Sequence, residues 1–283
     1  MLEVNNLTFS YGRKRPNLFE NLSFCLEPGR VYGLLGKNGA GKSTLLYLMS
    51  GLLRARHGSV SLCGVDVSLR RPSVLGDIYL VPEEYELPAV SLRHYVRLHA
   101  PFYPRFSREV LDRCLSDFEM EADLRLDELS MGQKKKALMS FALAANTSVL
   151  LMDEPTNGFD IPSKSQMRKV IAANMNDDRS IVISTHQVRD VENLLDHLLV
   201  VDGGRMLLDA GYSRISECLS FQERPLGEPV SDALYVQPSI HGNSVVLSNA
   251  GGGESPVNLE LLFNALLSNP EGICNSLKEE SSL

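Results

Sequence analysis

The chain has 283 residues, 43% of them hydrophobic, and a net charge of −7. That length and content suit one large domain, or one domain with an appendage, built on a real core. The acidic balance weighs against a nucleic-acid partner. No apolar run reaches the roughly 18 residues of a membrane span, and five scattered cysteines suit free thiols in a reducing cytoplasm better than a disulfide or metal framework.

Met1-Leu2-Glu3 leads directly into strand-like sequence, so no leader segment is expected. Residues 2–35 predict strands, interrupted by Tyr11-Gly12, a basic turn at Arg13-Lys14-Arg15-Pro16, and Pro28-Gly29. The basic triplet reads as a solvated loop, with a phosphate or partner patch as the less favoured reading. After the apolar run Val31-Tyr32-Gly33-Leu34-Leu35 comes Gly36-Lys37-Asn38-Gly39-Ala40-Gly41-Lys42-Ser43, then a helix-like run from Thr44 to Leu53. This is the full P-loop pattern in the strand-loop-helix setting it requires. Gly36, Gly39 and Gly41 let the backbone wrap an anion. The amides from Asn38 to Thr44 then point at phosphates, at the positive end of the helix. Lys42 is expected to reach the β- and γ-phosphates, and the Ser43 hydroxyl to bind Mg²⁺.

Residues 58–67 predict strand sequence turning at Cys63-Gly64, and residues 78–81 a short strand ending at Pro82-Glu83. From Ser91 to Ala145 the pattern is mostly helical, with breaks at Pro101 and Pro104. Within it, Leu129-Ser130-Met131-Gly132-Gln133 precedes three lysines and an apolar helix. Ser130 and Gln133 have capping-box spacing, which predicts a second helix N-terminus suited to an anion. Taken alone it is equally well a plain N-cap.

The apolar runs at 149–152 and 181–183 fit central strands of a parallel sheet, buried on both faces. The first ends in Asp153-Glu154, where one carboxylate suits Mg²⁺ and the other a general base acting on water. The second leads to Ser184-Thr185-His186. Residues 163–175 predict a crossover helix, residues 188–195 another helix, and residues 198–208 a hairpin around Asp202-Gly203-Gly204. Beyond Ala210 prolines and the Gly251-Gly252-Gly253 tract appear, so a boundary is expected near residue 211. Strand pieces at 233–236 and 244–247, a short helix at 259–267 and a frayed tail from 278 follow.

In this order the motifs resemble the ATP-binding subunit of an ABC transporter, over roughly residues 1–210. Residues 36–44 match Walker A, 129–133 the signature motif, 149–154 Walker B and 157–160 the D-loop; His186 matches the switch histidine, and Tyr11 the adenine-stacking aromatic. The resemblance implies a P-loop NTPase core of α/β class with a parallel sheet, an N-terminal antiparallel β subdomain and an inserted helical subdomain at about 84–145; residues 211–283, outside the resemblance, are expected from their own strand and helix pieces to form a small α+β appendage. It further implies ATP and Mg²⁺ as ligands, His186 sensing the γ-phosphate beside Glu154, and Ser130 to Gln133 facing the nucleotide of a second ATP-binding subunit. A separate integral membrane subunit would carry the transport, with this chain peripheral on the cytoplasmic face. The stretch Phe102-Tyr103-Pro104 and the lysine-rich signature look like the exporter-like ABC-2 branch. Competing readings are a soluble ABC-type ATPase without a membrane partner, or a module that holds ATP without turnover.

Two positions depart from the family pattern. Met131 stands where a second glycine is usual, and Glu83 where the Q-loop glutamine is usual. A second negative charge about 4 Å from phosphate costs several kcal/mol at intermediate dielectric unless a cation offsets it. Glu83 is therefore expected to make a metal-side or water-mediated contact.

Overall fold

A computed structural model describes residues 1–121, 123–240, 242–249 and 253–278. The first part of the chain runs β1 (Leu2–Phe9), β2 (Phe19–Leu26), β3 (Val31–Leu35), α1 (Lys42–Met49), β4 (His57–Leu62), β5 (Val65–Asp66), α2 (Pro72–Leu75) and β6 (Ile78–Val81). Three helices follow, α3 (Leu92–His99), α4 (Arg108–Asp117) and α5 (Met131–Ala144). The chain then returns through β7 (Val149–Asp153), α6 (Ile161–Ala173), β8 (Ser180–Thr185), β9 (His197–Asp202) and β10 (Arg205–Gly211).

Strands β2-β1-β4-β5 form an antiparallel sheet, and β10-β9-β3-β8-β7-β6 form a six-stranded one that is parallel except at its β10 edge. Period-2 alternation divides the larger sheet between two cores. Val149, Leu151 and Val182 face one core with α1 and the antiparallel sheet, while Leu150, Met152 and Ile183 face the other with α5 and α6. A strand buried on both faces has no polar side to show, which is why these runs are continuously apolar.

The helical insert is anchored to that second core by one ring. Phe141 of α5 packs against Tyr79, Tyr95, His99, Tyr103 and Phe106, with centroid separations from 5.3 to 6.3 Å. Such offset and edge contacts add to the area each ring buries. Beneath the sheet, Arg179 is 2% exposed. Its guanidinium donates to the carbonyls of Thr147, Asn174 and Leu143, each at 3.1 Å, and to Asn146 Oδ1 at 2.9 Å. These include carbonyls at and near the ends of α5 and α6, so one buried cation joins both helices to β7 and β8.

The remaining chain forms α7 (Tyr212–Cys218), β11 (Leu219–Pro225), β12 (Tyr235–Ser239), β13 (Gly242–Ser248), α8 (Leu259–Ser268) and α9 (Pro270–Lys278), with strand order β11-β13-β12. Its apolar residues are not a separate core. Ile215, Leu262 and Leu266 join the cluster that contains Val188, Val191 and Leu195 of the larger sheet's flank. Among the described residues, no helix is long and apolar enough to cross a membrane.

The P-loop core, the antiparallel sheet and the helical insert expected of the family are present, as is the α+β appendage expected from the sequence after residue 210. Residues 188–195 differ from expectation: two 3-10 turns, Val188–Asp190 and Glu192–Leu194, replace a helix. Three apolar side chains, Val188, Val191 and Leu195, must enter the core within eight residues, and Val, Asn and Asp are weak helix formers. The crossover helix begins two residues before the expected start, because Asp160 caps it and Pro162 occupies its first turn. Of the tail expected from 278, Lys278 instead ends helix α9, and residues 279–283, like most of the glycine tract, lie outside the described residues.

Candidate functional site

Parallel register brings the motif-bearing loops to one edge of the sheet. Leu35 pairs with Thr185, Asp153 with Ser184, and Val81 with Met152. The loops that leave β3, β7, β8 and β6 therefore emerge side by side at the carboxyl ends of the strands, where open α/β sheets bind ligands. Gly36, Glu154, His186 and Glu83 are the residues so delivered.

The P-loop folds as its glycines require. Gly41 has φ of 97°, and a Cβ there would lie 2.6 Å from the ring of Phe19; Gly39 has φ of 81°. Helix α1 starts with no side-chain cap, so its first-turn amides remain available to an anion. Lys42 folds back over the loop, its Nζ donating to the Gly36 carbonyl at 2.9 Å and the Lys37 carbonyl at 3.4 Å. The same ammonium lies 3.9 Å from Glu154 Oε1. A cleft of about 490 Å³ is lined by Tyr11, Asn38, Lys42, Ser43, Glu83 and His186 among others.

Glu154 is buried, with φ of 44°. A non-glycine residue in this left-handed region costs about 1–3 kcal/mol, sustained only where neighbours over-determine it. Its N–H donates to the Ser184 carbonyl at 3.0 Å and to Ser184 Oγ at 3.3 Å. On the side chain, Oε1 lies 2.8 Å from His186 Nδ1, and Oε2 accepts from the His186 N–H at 3.4 Å. The carboxylate is thus held between an imidazole and an ammonium, in reach of anything seated on the loop.

Asp153 is 1% exposed. Its Oδ1 accepts a hydrogen bond from Ser184 Oγ, while Oδ2 has no hydrogen-bond partner among the described residues. A buried carboxylate oxygen without a donor is unstable unless a cation meets it. Together with the Ser43 hydroxyl on the cleft wall, this hard-oxygen donor set fits Mg²⁺.

Tyr11 is 58% exposed, its ring edge-on to Phe9 at 5.0 Å and its hydroxyl hydrogen-bonded to Thr44 Oγ1 at 2.7 Å. It stands at the rim of the cleft with much of its ring exposed. Glu83 Oε1 accepts from Asn157 Nδ2 at 2.8 Å, which ties the loop after β6 to the loop after β7.

Ser130 to Gln133 are not brought into this cleft. Ser130 caps α5 with the full capping box, accepting from the Gln133 N–H at 3.3 Å while Gln133 Oε1 accepts from the Ser130 N–H at 3.0 Å. Met131 is 76% exposed. It lines a second cleft of about 630 Å³ with Glu83, Tyr85, Lys135 and Asn157.

Sequence reasoning missed Ser184, which serves both acidic residues, and Lys135. The latter is 3% exposed, and its Nζ donates to the carbonyls of Asn157 at 2.9 Å and Glu154 at 3.1 Å. Burial pushes its ammonium below the usual lysine range, against the nearby charges of Glu83, Glu154 and Asp153. The Ser184-Thr185 pair before His186 was a legible signal for the first; nothing in a run of three lysines singles out the second.

A glycine loop at a helix start, a carboxylate beside it with one orphaned oxygen, and a buried glutamate paired with an exposed histidine define the protein class: a P-loop nucleotide-binding protein of the ABC type. The chain belongs to the ABC transporter family of ATP-binding proteins. The family model described as "ABC transporter" matches residues 19–157. The Nod factor export ATP-binding protein I of Cupriavidus metallidurans is 30% identical over 215 residues, covering 74% of this chain and 70% of that protein. A solved ATP-binding subunit of an ABC transporter superposes with a TM-score of 0.69 at 25% identity, covering 76% of this chain and 91% of that one. The fold is also that of a dimeric post-hydrolysis ATP-binding cassette bound to ADP and Pi, with a TM-score of 0.65 at 22% identity, over 75% of this chain and 98% of that one.

Proposed function

We propose that this chain binds ATP at the P-loop, hydrolyses it with Glu154 as general base, and powers an integral membrane exporter as its cytoplasmic ATP-binding subunit. The observation that carries the reading is the Glu154 carboxylate, 2.8 Å from His186 and 3.9 Å from Lys42 at the mouth of the loop. Lys42 and the α1 amides hold the β- and γ-phosphates. The imidazole of His186 keeps Glu154 oriented toward the attacking water and takes part in sensing the γ-phosphate. Asp153 and Ser43, with Glu83 on the same side, would hold Mg²⁺, which when bound neutralises charge developing on the phosphate oxygens. Tyr11 offers its exposed ring face to the base.

The exposed start of α5 supports assembly. Ser130, Met131 and Gly132 stand apart from the chain's own P-loop cleft, so this helix N-terminus is free to face the nucleotide of a second ATP-binding subunit. The export protein I relative supports an exporter, by its name. The acidic balance supports a protein partner rather than nucleic acid. The 1–210 segment acts as the ATP-binding unit, with 84–145 its helical insert and 211–283 accessory to it.

A Glu154→Gln chain tests the assembly. It is expected to run as a monomer without nucleotide and as a dimer with MgATP in size-exclusion chromatography, and to co-purify with a polytopic membrane protein. A Glu154→Gln chain that stays monomeric at saturating MgATP contradicts the shared site.

A further inference from the structure

We propose that Lys135 is a positioning residue for hydrolysis: from inside the signature helix it holds the Glu154 backbone in its left-handed conformation and so aims the carboxylate at the reacting water. The inference rests on Glu154 being the general base. Lys135 occupies the fifth position of α5, one turn past Ser130, and points beneath the loop that follows β7. That loop is a tight turn, the Asn157 N–H donating to the Glu154 carbonyl at 3.2 Å. The Lys135 ammonium adds a second donor to the Glu154 carbonyl and a bond to the Asn157 carbonyl, and so clamps both ends of the turn.

Three facts separate this from simple space filling. An apolar side chain of similar length would fill the site without desolvating a charge, and replacing buried charges by well-packed apolar groups is often neutral or stabilising. The lysine is kept where its ammonium meets backbone carbonyls, with no carboxylate in direct contact among the described residues. Its first target is the one residue of the site with a strained backbone, φ of 44°, whose N–H side is already fixed by Ser184. Clamping the carbonyl side restrains the peptide groups on both sides of the Glu154 Cα. The second target, Asn157, carries the restraint on to Glu83 through its side-chain amide.

A merely structural lysine and a positioning lysine differ in what a neutral replacement disturbs. Lys135→Met in the full chain is expected to retain the wild-type melting temperature within a few degrees and to bind a fluorescent ATP analogue with about wild-type affinity. Its kcat should fall about 10- to 100-fold with KM for MgATP within about twofold, since small misplacements of reacting groups cost rates of that order. Lys135→Arg, which keeps a buried donor of positive charge, should recover part of the lost kcat. Should Lys135→Met fail to fold, Lys135→Gln, with a donor of shorter reach, is held to the same split between kcat and KM. A folded variant whose kcat stays within about twofold of wild type overturns the proposal, as does a loss of rate matched by an equal loss of nucleotide binding. Wild type and Glu154→Gln are assayed alongside. A wild type that hydrolyses nothing removes the ATPase reading and this inference with it, whereas an active wild type with a silent Lys135 change removes the inference alone.

Discussion

Nδ1 of His186 lies 2.8 Å from Oε1 of Glu154, though the two residues are 32 positions apart in the chain. Pairing of β7 with β8 makes them neighbours, since Asp153 stands opposite Ser184 and each strand then ends within two residues. The imidazole limits the rotation of a carboxylate whose backbone is already strained. His186→Ala should therefore leave nucleotide binding near wild type and lower kcat by about 100-fold, within the range removed with general acid–base machinery. Steady-state phosphate release, compared with equilibrium nucleotide binding, measures both.

Glu83 bonds to Asn157 through an oxygen that glutamine also has. Glu83→Gln therefore keeps the tie between the two loops and removes only the charge. If that charge faces the metal side of the site, the Mg²⁺ concentration for half-maximal ATPase activity should rise by about threefold or more. A magnesium titration of phosphate release decides it; an unchanged rate and unchanged Mg²⁺ dependence would show that the charge is idle.

Arg179→Met removes four hydrogen bonds made by a side chain that is 2% exposed; the Leu143 carbonyl keeps the Asn146 N–H, while the Thr147 and Asn174 carbonyls lose the guanidinium. Burial has already pushed the guanidinium down to about 10, yet it stays charged at neutral pH. The expected loss of stability is about 3 kcal/mol, from the desolvated carbonyls left behind. Denaturant unfolding measures it, and a change below about 0.5 kcal/mol would mean the carbonyls find other donors.

Phe141→Ala empties the space that five other rings surround. The cost should be about 3–5 kcal/mol. Because those rings come from α3, β6 and the segment between α3 and α4, hydrogen exchange should rise first across the helical insert rather than across β7 or β8. Uniform exchange would contradict the anchoring role.

Acid stability carries its own sign. Hydrogen bonds from Ser163 hold Asp160 below the ordinary aspartate value of 3.8, and Arg125 and Arg224 do the same for Asp127 and Asp232. A depressed folded value contributes stability that is present above 3.8 and lost as pH falls through the lower folded value. Asp160→Asn keeps a good helix cap but cannot titrate. Its unfolding free energy should fall less steeply than that of wild type below about pH 4. Equal slopes would remove Asp160 from the acid limb.

The parts of the fold written in local pattern were legible. The continuous apolar runs became central strands because both faces are buried, and Ser130 with Gln133 formed the capping box that their spacing demands. The hairpin turned at Gly203 and Gly204, both with positive φ. Residues 188–195 were misread because helical spacing there served burial in a core assembled from the distant α7, α8 and sheet flank. Strand β11 was missed for a similar reason, since its partner β13 lies about twenty residues away and only pairing organises its mixed sequence. At the site, P-loop, Asp153, Glu154 and His186 could be read because their chemistry travels with short motifs. Lys135 could not, since charge runs read as solvated surface and only the packing of α5 against the β7 loop turns the middle lysine inward.

The central claim is that Glu154 activates water at a nucleotide held by the P-loop. The direct measurement is phosphate release from MgATP by the wild-type chain and by Glu154→Gln, with nucleotide affinity determined for each. The account predicts steady release by wild type, a loss of at least about 100-fold in Glu154→Gln, and ATP affinity unchanged within about threefold. Turnover by Glu154→Gln at the wild-type rate would contradict it.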